Sequence, residues 1–339
     1  MDGFTACSCE QAGLSRALML TGIQLLGDYY KAIISNVTAC TLCYHSLFSL
    51  HEFAMLYLGC PMWANANWKH SLFSADATAK QFLQQYAEVF NTVEGNTTFY
   101  ADPKTDTIIR WAECTPESFR FVLKVPSRIS HQSSADGPEA LKQWWQLLTP
   151  LQHKIGQIHL QLPATTGPQH LANICRLLDV LVAEVPCCVE VRHPAFFDKA
   201  EHEVTLNRLL RDYQAERVVF DSRALFSVPA TNEALADAQR KKPQLPVHAI
   251  CLTDSPVVRF IGCDDLASNQ HYYQPWLGKI RQWLNEGKSP YCFFHTPDNA
   301  SAPELCRAFV KDLAIEHSVL APWPGEQTPK TESIQPDLW

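Results

Sequence analysis

The chain has 339 residues, with 28 Lys+Arg against 35 Asp+Glu, and is 46% hydrophobic and 19% charged, a balance that excludes disordered, collagenous and coiled-coil classes. Its formal charge of −7 argues against a broad electrostatic grip on nucleic acid or anionic lipid and leaves small polar partners open. The length suits either two domains or one α/β barrel of roughly 250 residues. The 13 cysteines are scattered, and Cys187, Cys188, Cys251 and Cys292 sit inside apolar runs, as buried thiols do in a reducing compartment. Apolar stretches stop well short of the roughly 20 residues that a membrane span needs, so no membrane contact and a cytoplasmic location are expected.

Residues 1–54 mix Ser, Cys and short apolar runs without a sustained period and are expected to be an N-terminal extension. Met55 opens the first clear strand and is the expected natural start. Cys7-Ser8-Cys9 and Cys40-Thr41-Leu42-Cys43 have spacings that could seed a zinc site. No turn chemistry unites them, and chance pairing in a Cys-rich chain is the simpler reading. No metal or cofactor is therefore expected.

Eight apolar runs of strand length follow, at 55–60, 92–98, 119–126, 155–163, 187–193, 217–222, 257–262 and 290–295. Helical patterns lie between most of them, clearest at 79–90, 138–153, 170–184, 274–285 and 303–315. This alternation predicts a TIM-type (β/α)8 barrel over residues 55–320, although an open doubly wound sheet shares the same local signature. Residues 224–256, broken by Pro229, Pro243, Pro246 and Pro256, are expected to form an excursion with a short helix at 233–240. Residues 321–339 read as an irregular tail.

Side chains alternate across a strand, so a barrel strand sends one set toward the helices and the other into the lumen. That parity places Glu94, Asn96, Lys124, Gln157, His159, Gln161, Glu190, Arg192, Asp221 and Arg259 inside, mostly near strand C-terminal ends, where such barrels carry their chemistry. Glu94, Glu190 and Asp221 balance Lys124, Arg192 and Arg259, whereas a divalent-metal centre wants carboxylates and imidazoles in excess. A self-satisfied ion network that only closes the barrel is the structural alternative. Arg128 and His131 follow the third strand and are expected over the mouth. Trp63, Trp68, Phe99 and Tyr100 could floor a sugar or serve as plain packing. His193 is expected to cap a turn with Pro194, and Arg240-Lys241-Lys242 to be a solvated patch. Phosphate-loop, dinucleotide, nucleophile-elbow and zincin motifs are not found in the sequence.

Val93-Glu94-Gly95-Asn96-Thr97-Thr98-Phe99-Tyr100, Arg128-Ile129-Ser130-His131, Gln161-Leu162-Pro163, Val189-Glu190-Val191-Arg192-His193-Pro194 and Asp221-Ser222-Arg223 resemble the motifs of the YecE-like proteins, a bacterial family of unknown function. The resemblance runs in order from Met55 to about Ile315. Asp237-Ala238-Gln239-Arg240-Lys241-Lys242-Pro243, Arg259-Phe260-Ile261-Gly262 and His295-Thr296-Pro297-Asp298 are similar to its YecE branch, departing from other branches at Ile261 and at His295-Thr296. It implies a TIM-type barrel and no activity.

The expectation for function is an enzyme using metal-independent acid/base chemistry on a small polar ligand, carbohydrate or sugar-phosphate in type, at the barrel mouth. Glu190 or Glu94 is the expected proton-transferring carboxylate, and Lys124 completes the catalytic set. Lys124, Arg192 and Arg259 would hold negative charge. Asn96, Gln161 and Asp221 would orient the ligand, with Tyr100, Arg128 and His131 reaching it from loops. Two other readings are a metal-dependent phosphoester hydrolase of nucleic acid, using His131, Glu94, Glu190 and His193, and a non-catalytic scaffold. Oligomeric state is left open.

Overall fold

A computed structural model describes residues 54–132, 136–315 and 320–327; the expected extension before residue 54, with its two cysteine pairs, lies outside them. Parallel strands and helices alternate as expected. The strands are β1 (Tyr57–Gly59), β2 (Thr92–Gly95), β3 (Arg120–Lys124), β4 (Ile155–Gln161), β5 (Cys187–Glu190), β6 (Glu216–Arg217), β7 (Val219–Asp221), β8 (Val257–Ile261) and β9 (Tyr291–His295). One ladder runs β2-β3-β4-β5-β6 and the other β1-β9-β8-β7, all pairs parallel. β6 and β7 occupy one barrel position, divided at Val218, whose N–H still donates to Val189 O at 3.0 Å.

The remaining seam, between β1 and β2, is closed largely by side chains. The Asn91 side chain accepts from Leu58 N and donates to Leu56 O, both at 2.8 Å. The Tyr86 hydroxyl accepts from Cys60 N at 2.7 Å and donates to Thr92 O at 2.9 Å, and Glu94 N reaches Cys60 O at 3.1 Å. Gly59 is required there: a Cβ would stand 2.2 Å from Thr92 O. With this seam closed, the sheet is a TIM-type barrel and the doubly wound alternative falls.

Among the helices, α1 (Phe82–Val89), α2 (Thr97–Tyr100), α3 (Thr105–Glu113), α4 (Ser127–Ser130), α5 (Gly137–Leu147) and α6 (Leu171–Leu181) cover the first half. α7 (Glu201–Asp212), α8 (Glu233–Lys241), α9 (Leu266–Asn285) and α10 (Ala302–Leu313) cover the second. Amphipathic spacing explains α6, which buries Ile174, Leu177, Leu178 and Leu181 on one stripe. α9 is longer than its sequence pattern, because Pro275 reads as a breaker. Tyr273, Trp276, Ile280 and Trp283, buried on both sides of that proline, hold the two halves as one helix. α7 escapes the pattern because its buried face is Glu203, Leu206 and Leu210, with a carboxylate where an apolar residue would signal it. Among the described residues no helix is long and apolar enough to cross a membrane.

The lumen is layered. Val122, Cys188, Val218, Val257, Tyr291 and Phe293 form an apolar plug, with Tyr57 stacked on Tyr291. Above it, toward the strand C-terminal ends, the inward positions turn polar. Parity places these residues correctly on β2, β3, β4, β5 and β8 but fails at the sixth position. There Val218 and Phe220 face inward, while Asp221 turns out to the helix layer and accepts from Trp276 Nε1 of α9 at 2.9 Å.

Candidate functional site

Five strand ends deliver the centre. Glu94 comes from β2, Lys124 from β3, His159 and Gln161 from β4, Glu190 from β5 and Arg259 from β8, all buried. The register sets Lys124 beside His159 and Gln161 beside Glu190. Arg192, just past β5, and His295, ending β9, complete the group. Loop ends are fixed locally: Thr98 Oγ1 donates to Lys124 O at 2.7 Å, and Asn96 Nδ2 donates to Pro61 O at 2.7 Å and Glu94 Oε2 at 3.3 Å.

Arg259 is the hub. Its Nε lies 2.5 Å from Glu94 Oε1 and its NH2 3.2 Å from Glu94 Oε2, while NH1 donates to Glu190 Oε2. Arg192 grips the other Glu190 oxygen through Nε at 2.8 Å and NH2 at 2.6 Å. Both guanidinium groups lie over the Phe220 ring, 5.2 Å and 5.9 Å from its centroid. His159 spans the two carboxylates, Nδ1 at 3.3 Å from Glu94 and Nε2 at 3.4 Å from Glu190. His295 Nε2 is 3.2 Å from Glu94 Oε2. Lys124 Nζ donates to Gln161 Oε1 at 2.7 Å and stands 3.8 Å from Glu94 Oε1.

Charge follows from this packing. Burial by itself would raise both carboxyls, but Arg259, with Lys124 at Glu94 and Arg192 at Glu190, outweighs it and holds both well below the usual carboxylate range. Burial and the Arg259 charge push Lys124 down to about 7, against the pull of Glu94 and Glu190. Burial likewise drives His295 down to about 3, leaving a neutral imidazole. The two glutamates are therefore fixed anions, and Lys124 is the group balanced between protonation states near neutrality.

The expected site residues separate into three sets. Glu94, Glu190, Lys124, Asn96, Gln161, Arg192 and Arg259 come together. At the rim, His131 stacks edge-on against Phe99 at 5.2 Å with its Nδ1 3.0 Å from Ser130 Oγ. Burial, then Arg192 and Lys124, lower its pKa, which puts it within electrostatic reach of the centre. Phe99 in turn lies 5.8 Å below Lys124 Nζ and carries Tyr100 edge-on at its outer side, 81% exposed. The third set stands apart. Asp221 faces outward and is held by Arg223 at 2.8 Å, and Arg128 forms a half-exposed pair with Asp102 at 2.6 Å.

The ligand set of the metal reading does not assemble. Glu94 and Glu190 close on Arg259, and His193 accepts from Ala195 N at 3.2 Å, capping the turn Pro194–Phe197 as expected. Among the described residues no three His, Cys, Asp or Glu side chains are grouped to hold a metal ion.

Lys242 is the residue missed. Arg240 and Lys241 are solvated as expected, paired with Asp237 at 2.5 and 2.6 Å. Lys242 is half-buried and lies within electrostatic reach of the centre, where burial and the Arg259 charge push it down to about 8 against the pull of Glu94 and Glu190. His295 and Phe220 were also missed, and His159 was placed inside without a role. For His295 the signal was there, since alternation from Tyr291 and Phe293 carries it into the lumen. With Asp221 removed, Arg259, Arg192 and Lys124 face only Glu94 and Glu190, so the expected balance of three against three does not hold.

Residues 57–331 match the family model described as "Protein of unknown function DUF72". The UPF0759 protein YecE of Escherichia coli is 44% identical over 260 residues, covering 76% of this chain and 93% of the relative. The UPF0759 protein YunF of Bacillus subtilis is 22% identical over 284 residues, covering 79% and 98%. A crystal structure of a DUF72 family protein from Enterococcus faecalis superposes with TM-score 0.59 at 18% identity, covering 77% of this chain and 98% of that one. A second, from Thermotoga maritima, gives 0.58 at 20% identity, covering 76% and 99%.

Proposed function

The chain belongs to the DUF72 family, and from that premise we propose that it is an enzyme performing acid/base chemistry on a small polar molecule, carbohydrate or sugar-phosphate in type, at the C-terminal mouth of its barrel. One observation carries the reading: an amine, Lys124 Nζ, stands 2.7 Å from Gln161 Oε1 and 3.8 Å from Glu94 Oε1 in a charged centre nearly closed to water. Taking several ions out of water costs several kcal/mol each unless they are paired, and closing a barrel needs no such cluster. Perturbed ionisable groups concentrated in one place mark chemistry more often than packing.

The proton-transferring role expected of Glu190 or Glu94 passes to Lys124. Both carboxyls are held too acidic to serve as proton donors near neutrality, and their oxygens are committed to guanidinium groups. A catalytic pKa near the working pH gives the most efficient transfer, and Lys124 at about 7 meets that condition. Glu94 and Glu190 supply the field that lets a buried lysine charge at all. Gln161 holds the amine, and Asn96 ties Glu94 to the loop after β1.

The test combines a thermal-shift screen of sugars, polyols and their phosphates with turnover of any stabilising compound. Lys124→Met is expected to fold and to lose on the order of 10²–10⁴-fold in turnover. In wild type, kcat/KM should fall as pH drops below about 7 and the amine protonates, a limb missing from the variant. A screen without stabilising compounds, or turnover indifferent to Lys124→Met, overturns the proposal.

A further inference from the structure

Among the described residues Tyr100, at the end of α2, is the large apolar side chain most open to water, with Met55 next at 47% exposed. A loose surface loop would leave a tyrosine so by default, but this one is pinned on both sides. Two residues before it, Thr98 Oγ1 donates to Lys124 O at 2.7 Å and ties α2 to the end of β3, while Ala101 N closes the turn on Thr97 O at 3.2 Å. Two residues after it, Asp102 is held by Arg128 of α4 at 2.6 Å. The Tyr100 ring stands edge-on to Phe99, with centroids 5.2 Å apart at 89°. Its position is therefore fixed while its face stays open.

From that ring the aromatic groups lead inward. Phe99 meets His131 edge-on at 5.2 Å and lies 5.8 Å from Lys124 Nζ, so the exposed ring is two steps, of 5.2 and 5.8 Å, from the amine. A ligand of two linked rings has that reach, one ring against the amine and the other over Tyr100. Tyrosine offers an electron-rich face and a polar hydroxyl on a side chain with few rotors. The C–H face of a pyranose, with its partly positive hydrogens, complements such a face. A planar base is instead gripped between two flat groups in the sites that process bases, and among the described residues no second ring lies parallel to Tyr100. We propose that Tyr100 is a specificity-determining residue, the outer stacking subsite for the second ring of a disaccharide or glycoside whose first ring lies at Lys124. This deepens the acid/base reading above, rests on it for the placing of the first ring, and narrows the substrate class to linked sugars.

The test measures binding and turnover of glucose, N-acetylglucosamine, maltose, cellobiose, lactose, chitobiose and adenosine in wild type, Tyr100→Phe, Tyr100→Ala and Lys124→Met. At least one disaccharide should bind wild type and Tyr100→Phe about tenfold more tightly than its monosaccharide. In Tyr100→Ala that advantage should vanish, although the variant melts at the wild-type temperature because so exposed a side chain contributes little to folding. A disaccharide advantage that survives Tyr100→Ala overturns the inference, as does adenosine binding through Tyr100 more tightly than any disaccharide. Monosaccharides that bind and turn over through Lys124, with their disaccharides no tighter, would sink this inference and leave the acid/base reading standing. A Tyr100-dependent disaccharide advantage with turnover indifferent to Lys124→Met would keep the stacking subsite and sink the acid/base reading. Failure of every compound sinks both.

Discussion

Arg259 is the residue that makes two buried glutamates tolerable. An isolated carboxylate in a medium of low dielectric carries a desolvation penalty of several kcal/mol, and here one guanidinium, 1% exposed, is shared by Glu94 and Glu190 and, with Lys124 at the first and Arg192 at the second, offsets it. Arg259→Met is therefore expected to destabilise the protein by about 3–5 kcal/mol at pH 7, as measured by urea denaturation. The pH dependence separates this cause from simple loss of packing. In wild type both carboxyls are held below their unfolded value, so their stabilisation is complete above about pH 4.3 and is lost as pH falls below it. In the variant Arg192 still holds Glu190 and Lys124 still faces Glu94, but with the shared guanidinium gone burial gains weight and moves both carboxyls upward from their wild-type values, so protonation on acidification relieves the folded state first. The deficit of Arg259→Met should narrow between pH 7 and pH 5. A deficit constant over that range would mean that charge is not what Arg259 contributes.

At the scale of elements, the β1–β2 seam is the place where the barrel lacks a full ladder, and Tyr86 of α1 substitutes for it. Removing its hydroxyl leaves Cys60 N–H and Thr92 C=O without their partner in a buried seam. Tyr86→Phe is expected to cost about 1–3 kcal/mol, with faster amide exchange at Cys60 than in the plug strands β8 and β9. Unchanged stability would show that the seam is held by the Asn91 and Glu94 bonds alone. This closure was invisible in the sequence, because Tyr86 in a helical pattern reads as one more buried aromatic. What alternation did reveal was the inward set on β2, β3, β4, β5 and β8, where one polar residue sits between apolar neighbours. It failed at 217–222 because Val218, Val219 and Phe220 are consecutive apolar residues, so either register satisfies the pattern. The register that sends Val219 and Asp221 inward was the one read, although Trp276 and Arg223 satisfy Asp221 on the outer side. Lys242 stood in a run similar to the YecE branch but read as solvated, since the placing of its backbone depends on a bond between Ser222 and Pro243 across the whole of α8.

At the scale of the whole molecule, charge has two opposite signs on two length scales. The chain carries a formal −7, which repels a polyanion at distances beyond about 10 Å in dilute salt. The cations of the centre are buried instead, with Lys124 4% and Arg259 1% exposed. A small phosphorylated molecule can shed its water and enter, whereas a duplex presents phosphates spread along a rod and needs a matching row of exposed cations. The one cationic run does not provide that row, because Arg240 and Lys241 are spent on Asp237. A fluorescent 20-base-pair duplex is therefore expected to show no binding tighter than about 10⁻⁴ M at roughly 0.15 M salt. Micromolar duplex binding that weakens steeply with salt would reveal an extended basic surface and return the nucleic-acid hydrolase to contention.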